Sequence, residues 1–126
     1  MTISRLIAPA AALLAVAIAT PAAAAGDAAK GATAFKAKCQ ICHVINAGQK
    51  GTMAPNLRGV VGRKAGSTDF ALYSPQLKAF GKPWNAALLD QWLTAPAKLV
   101  PGARMAMNVP AKADRDDVIA YLTTLK

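Results

Sequence analysis

The chain has 126 residues, 54% of them apolar, with 15 Lys and Arg against 6 acidic residues and a formal charge of +9. One domain at most fits that length. One His and two Cys are the only soft metal-binding or thiol side chains besides Met, which excludes a multidomain enzyme, a disulfide-dense miniprotein and a polytopic membrane protein.

Residues 1–25 read as an address. Arg5 lies in a short polar start, a mostly apolar run follows from Leu6 to Ala19, Pro21 breaks it, and Ala23-Ala24-Ala25 precedes Gly26. A basic start, an apolar middle and a small-residue end are the parts of a secretory signal peptide. An uncleaved membrane anchor is the rival, because Leu6–Ala25 has about 20 residues, near the spanning minimum. Ala is only weakly hydrophobic, and the Ala-x-Ala end fits removal better. Cleavage is expected after about Ala25, leaving residues 26–126 as a soluble domain in the periplasm.

Asp27 can cap a helix running to about Lys38, with Ala28, Ala32 and Phe35 on one face. Gly31 leaves a notch on that face where another helix can approach. Directly afterwards stand both cysteines and the only histidine, as Cys39-Gln40-Ile41-Cys42-His43. A thioredoxin-like dithiol wants a βαβ setting, whereas the preceding segment is Ala-rich and helical. A structural zinc site needs four protein ligands, and only three N or S ligands exist outside Met. The surviving reading is c-type haem attachment. Two thioethers must reach two vinyl groups on one edge of a rigid macrocycle, and the adjacent imidazole then swings beneath the iron.

Gly48, Gly51, Gly59, Gly62 and Gly66 next signal irregular loop rather than sheet. Ser74-Pro75 starts a second helix, with Gly81 just beyond its end. Asn85 opens a third over Ala86–Ala95, with Leu88, Leu89, Trp92 and Leu93 as its apolar stripe and Pro96 as its stop. The last helix is expected to be capped by Asp114, with Asp116 and Asp117 in its first turn. Val118, Ile119, Leu122 and Leu125 would form its buried face. The expected fold class is all-α, with the N- and C-terminal helices packed together.

A sole histidine leaves the second axial position to Met, whose polarizable thioether suits haem iron and raises its reduction potential. Met53, Met105 and Met107 are the candidates. Met105 ends Val100-Pro101-Gly102-Ala103-Arg104-Met105, where Pro fixes φ and Gly permits an unusual turn, so a preformed loop can push one side chain inward. Met107 shares that inward parity and is the competitor. Met105 is preferred.

In order, and over nearly all of residues 26–126, the chain resembles the class I cytochromes c of the bacterial periplasmic and mitochondrial type. Gly26 to Gly31 with Phe35 and Lys38-Cys39 is similar to the family's first helix, and Ala54-Pro55-Asn56-Leu57-Arg58-Gly59 through Gly66 to its loop beneath the haem. Tyr73-Ser74-Pro75, Trp84, Trp92-Leu93, Pro96, Pro101-Gly102-x-x-Met105 and Ala113 to Leu122 continue the match. The resemblance implies a cytochrome c fold with long loops around one haem c, bound covalently by Cys39 and Cys42, with His43 and Met105 on the iron. It further implies that the Pro55 carbonyl holds His43 Nδ1–H, fixing tautomer and basicity. Arg63, Tyr73 and Trp84 would bond or neutralise the haem propionates. Two departures stand out: Trp92 replaces a usual Tyr and cannot accept a hydrogen bond, and Ala103 replaces a common Thr or Asn.

With both axial positions filled, no site is open for oxygen or substrate, so the expected function is outer-sphere one-electron transfer and not enzyme catalysis. Lys38, Lys50, Lys98 and Arg104 lie in sequence near the haem-binding segments and suggest a positive ring. Such a ring steers transient encounter with acidic partner surfaces. For this family the partners would be a quinol:cytochrome c oxidoreductase, an oxidase, a reaction centre or a dehydrogenase, met at the membrane surface by a monomer. No recognition motif supports nucleic-acid binding. The alternatives are a catalytic or gas-binding haem protein with a labile Met ligand and, without haem, a thiol–disulfide module.

Overall fold

A computed structural model describes residues 26–126; the signal segment inferred over residues 1–25 lies outside the described residues. The elements in chain order are α1 (Ala28–Lys38), α2 (Pro75–Phe80), α3 (Ala86–Thr94), α4 (Pro96–Leu99) and α5 (Lys112–Thr124). Among the described residues there is no strand, only an isolated antiparallel bridge between Lys64 and Pro83. None of these helices is long and apolar enough to cross a membrane.

Three helix starts follow directly from local chemistry. The Asp27 carboxylate accepts from Ala29 N (2.9 Å) and Lys30 N (3.0 Å), satisfying backbone donors that have no partner within the helix. Ser74 Oγ accepts from Leu77 N, with Pro75 at the first helical position, and Gly81 ends α2 at φ 52°. Asn85 Oδ1 accepts from Leu88 N at 2.8 Å.

The last helix departs from expectation. It begins at Lys112 rather than after Asp114, and its N-cap Ala111 makes no side-chain bond. Pro110 pushes the residue before it into extended backbone, and the chain turns helical soon after that proline. Asp114 therefore falls in the first turn, where its carboxylate meets Lys38 Nζ at 3.2 Å. Pro96 also does more than stop α3. It occupies the first position of α4, where its missing N–H is not needed.

The terminal helices α1 and α5 pack along each other. Phe35 is fully buried and its ring lies 5.5 Å from that of Tyr121. Asp117 Oδ1 accepts from Asp27 N at 2.7 Å, pinning the start of α1 to α5. Gly31 faces the Asp117 carbonyl so closely that a Cβ would overlap it, which is the approach its missing side chain was expected to permit. Val118, Ile119 and Leu122 are buried as expected; Leu125 is only half-buried, and Arg115 shares the buried face instead. From α3, Leu89 and Leu93 enter the same core, with Leu88 and Trp92 packed at its margin.

Candidate functional site

Between α1, α3, α5 and the two long connections lies a cavity of about 530 Å³, lined mostly by apolar side chains. Phe35 of α1, Leu89 and Leu93 of α3, and Val118 and Leu122 of α5 form its inner wall. The hydrophobic core thus continues directly into the cavity lining.

Every site residue expected from the sequence lines this one cavity: Cys39, Cys42, His43, Pro55, Arg63, Tyr73, Trp84 and Met105. The segment after α1 turns back on itself, with Cys42 N and His43 N both donating to Cys39 O. That turn places the two thiols and the imidazole side by side at one wall. Neither cysteine is in a disulfide. Burial pushes the Cys39 thiol upward, against the lowering effect of Lys38, with Cys42 adding to the rise. A redox-active dithiol wants the opposite shift, since the thiolate is the reactive form, so the thiol–disulfide alternative loses ground.

His43 Nδ1 lies 2.8 Å from Pro55 O. A backbone carbonyl can only accept, so Nδ1 bears the proton. Nε2 then keeps its lone pair for a metal. Burial lowers the His43 pKa, outweighing the Pro55 bond that raises it, and the Arg63 charge lowers it further. The neutral imidazole, the form that ligates iron, is therefore favoured.

The three candidate methionines separate by burial. Met105 is half-buried and packed against the core, whereas Met107 is 36% and Met53 68% exposed. All three line the cavity, so it is packing that singles out Met105. Its loop is held by Ala103 N donating to Val100 O at 3.0 Å and by Arg104 Nη1 donating to Leu72 O at 3.0 Å.

The polar residues gather on one side. Arg63 Nη1 donates to Arg58 O at 3.0 Å, and burial lowers its pKa while nearby Tyr73 raises it. The Tyr73 hydroxyl pairs with Thr68 Oγ1 at 2.7 Å. Thr68 gave no signal in the sequence, because only the folded loop brings it to Tyr73. Trp84 packs edge-on to Trp92 with centroids 5.4 Å apart, so Trp92 serves as an aromatic wall where a hydroxyl network was doubtful. Of the four basic residues thought to ring the site, Lys38 and Arg104 line the cavity; Lys50 and Lys98 are not part of its lining. Lys98 borders a separate shallow groove beside Asp90 and Gln91.

The donor set fits a haem. Paired thiols, an oriented imidazole and a thioether converge on an apolar cavity with an Arg and a Tyr in its wall. Among the described residues no cluster of three or more His, Cys, Asp or Glu could hold an ion without a macrocycle. A helical domain built around such a cavity defines a single-haem c-type protein. Comparison with known proteins agrees. A cytochrome c family model matches residues 28–126. The chain is 46% identical over 98 residues to cytochrome c of Theileria annulata, covering 77% of this chain and 84% of that one. It is 42% identical over 103 residues to cytochrome c2 of Rhodoblastus acidophilus, covering 81% and 95%. The solved structure of cytochrome cH from Methylobacterium extorquens superposes with a TM-score of 0.72 at 44% identity, covering 79% and 99%. The chain belongs to the cytochrome c family and is a haem c electron carrier with the all-α fold of the class I members.

Proposed function

We propose that the chain is an exported one-electron shuttle whose haem is held by thioethers from Cys39 and Cys42 and ligated by His43 and Met105. One observation carries the reading: both thiols, an imidazole with its Nδ1 committed to Pro55, and the best-buried of the three methionines line a single apolar cavity. Haem c supplies a one-electron Fe(III)/Fe(II) couple when bound. The protein's own residues do the rest. His43 and Met105 would both ligate the iron, which would leave no position on it for dioxygen or substrate. The inner wall from α1, α3 and α5 would bury one side of the group against Phe35, Leu89, Leu93, Val118 and Leu122. Arg63, with Tyr73 and Trp84, offers donors to the propionates, anions that require partners when buried.

Export through a signal peptide ending near Ala25 places this carrier in the periplasm, with residues 26–126 as the working domain. Lys38 and Arg104 at the cavity favour acidic surfaces on its redox partners, such as a quinol oxidoreductase, an oxidase or a dehydrogenase.

The test is an absorption spectrum of the exported protein in both redox states. A sharp reduced α-band with a ferric sulfur–iron charge-transfer band is expected. That band should vanish in Met105→Ala and persist in Met107→Ala and Met53→Ala. A band that survives in Met105→Ala overturns the ligand assignment. A high-spin ferric spectrum with ready CO binding would instead mark a catalytic or gas-binding haem protein.

A further inference from the structure

Among the described residues Arg115 is the one buried charged side chain, only 8% exposed in the middle of the α5 face that packs inward. Its Nε donates to Asp90 Oδ1 of α3 at 2.7 Å. Its Nη1 donates to two consecutive backbone carbonyls, Val109 O at 3.0 Å and Pro110 O at 2.6 Å. A buried ion pair is a weak device for stability, because desolvating both charges offsets most of their attraction, and an apolar residue of like volume often does as well. What a guanidinium adds is a planar fork of donors in fixed geometry. Here the fork grips the backbone at the end of the segment that carries Met105.

That segment, residues 100–111 between α4 and α5, contains no helix or strand. Its first half is turned by the Ala103–Val100 bond and tethered by Arg104. Its second half is fixed at Val109, fully buried, whose N–H donates to Leu93 O at 2.7 Å and whose carbonyl goes to Arg115. Asn108 Nδ2 adds a longer bond to Thr94 O at 3.3 Å. Met105 stands four residues before Val109, so any slip of that anchor passes along a short tether to the sulfur.

We infer that Arg115, braced by Asp90, is a positioning residue that holds Val109 and Pro110 in place and thereby keeps Met105 against the iron and excludes external ligands. The inference rests on Met105 being the axial ligand.

The experiment measures imidazole binding to the ferric, haem-loaded protein alongside its sulfur–iron charge-transfer band and far-UV circular dichroism. Arg115→Met, which keeps length and apolar volume, should retain helical signal and attached haem, weaken the band and bind imidazole at least about ten-fold more tightly, equivalent to about 1.4 kcal/mol. Arg115→Lys, a point donor without the fork, should recover part of the loss. Asp90→Asn, which leaves the carbonyl bonds but loosens their brace, should shift affinity in the same direction by less. Should Arg115→Met fail to accumulate as folded protein, Asp90→Asn and Arg115→Lys decide. Adding Arg115→Met to Met105→Ala should produce no further gain in imidazole affinity, because no methionine sulfur remains there to be loosened. Unchanged imidazole affinity in the folded Arg115 and Asp90 variants overturns the positioning role. A charge-transfer band that persists in Met105→Ala alone overturns the ligand assignment, a separate failure.

Discussion

Gly31 of α1 and Asp117 of α5 meet backbone to backbone: a methyl group at position 31 would overlap the Asp117 carbonyl and stand 2.8 Å from Tyr121 Cβ. The two helices consequently pack as closely as their chains allow, and Phe35 and Tyr121 close the seam beside them.

Gly31→Ala sets two effects against each other. Within an isolated helix, Ala is favoured over Gly by roughly 0.5–1 kcal/mol. Overpacking costs about 1–3 kcal/mol, and here the obstacle is backbone, which cannot rotate aside. The variant should lose about 1–2 kcal/mol net in guanidinium denaturation of the haem-loaded protein. A variant as stable as the parent would mean that α1 and α5 separate without penalty.

Haem should be part of the core rather than its cargo. The cavity of about 530 Å³ is walled by Phe35, Leu89, Leu93, Val118 and Leu122, the residues that would otherwise form a closed interior. Without haem those apolar side chains would face water or an unfilled space, a loss that a small domain with only about 5–15 kcal/mol of stability is poorly able to offset. Cys39→Ala/Cys42→Ala, produced without haem, should show little fixed near-UV circular dichroism and no cooperative thermal transition. A sharp transition near that of the haem-loaded protein would disprove the point.

Much of this arrangement was legible because it is local. Asp27, Ser74-Pro75 and Asn85 cap their own helices within three residues, and Cys39 to His43 sit in one turn. The Gly31 notch could be read from its place on an apolar face. Asp114 misled because it looks like Asp27, yet its carboxylate is used by Lys38, 76 residues away, while α5 already begins at Lys112 without a side-chain cap. Arg115 was invisible for the same reason. In sequence it belongs to a charged run, Asp114-Arg115-Asp116-Asp117, and only tertiary contact with Asp90 and the Val109 carbonyl turns it inward. Val109, alone between Asn108 and Pro110, has no periodicity to announce that it is fully buried.

Arg63 bears on the reduction potential. Its guanidinium lies in the wall of the haem cavity, and a fixed positive charge disfavours the more positive ferric state. Arg63→Leu removes that charge and leaves any propionate beside it less neutralised, so both effects stabilise Fe(III). A unit charge at about 10 Å and an effective dielectric of about 20 is worth about 1.7 kcal/mol, so voltammetry should show the potential falling by tens of millivolts. A rise, or no change with the sulfur–iron band intact, would remove Arg63 from the haem environment.

Basic residues should steer partners according to where they stand, not merely by their number. Lys38 and Arg104 line the cavity, whereas Lys98 borders the groove beside Asp90 and Gln91. Neutralising any one of them changes net charge equally. Charges at the rim of a docking site act mainly on association rate, and screening shortens their reach from about 30 Å at 0.01 M salt to about 3 Å at 1 M. Stopped-flow oxidation of the ferrous protein by hexacyanoferrate(III), an anion, should therefore slow about two- to fivefold at low salt in Arg104→Gln and Lys38→Gln. Lys98→Gln should slow it less, and all three variants should converge with the parent at high salt. Equal effects from Lys98→Gln and Arg104→Gln would show that net charge alone sets the rate, and the docking face would then lie elsewhere than at the cavity.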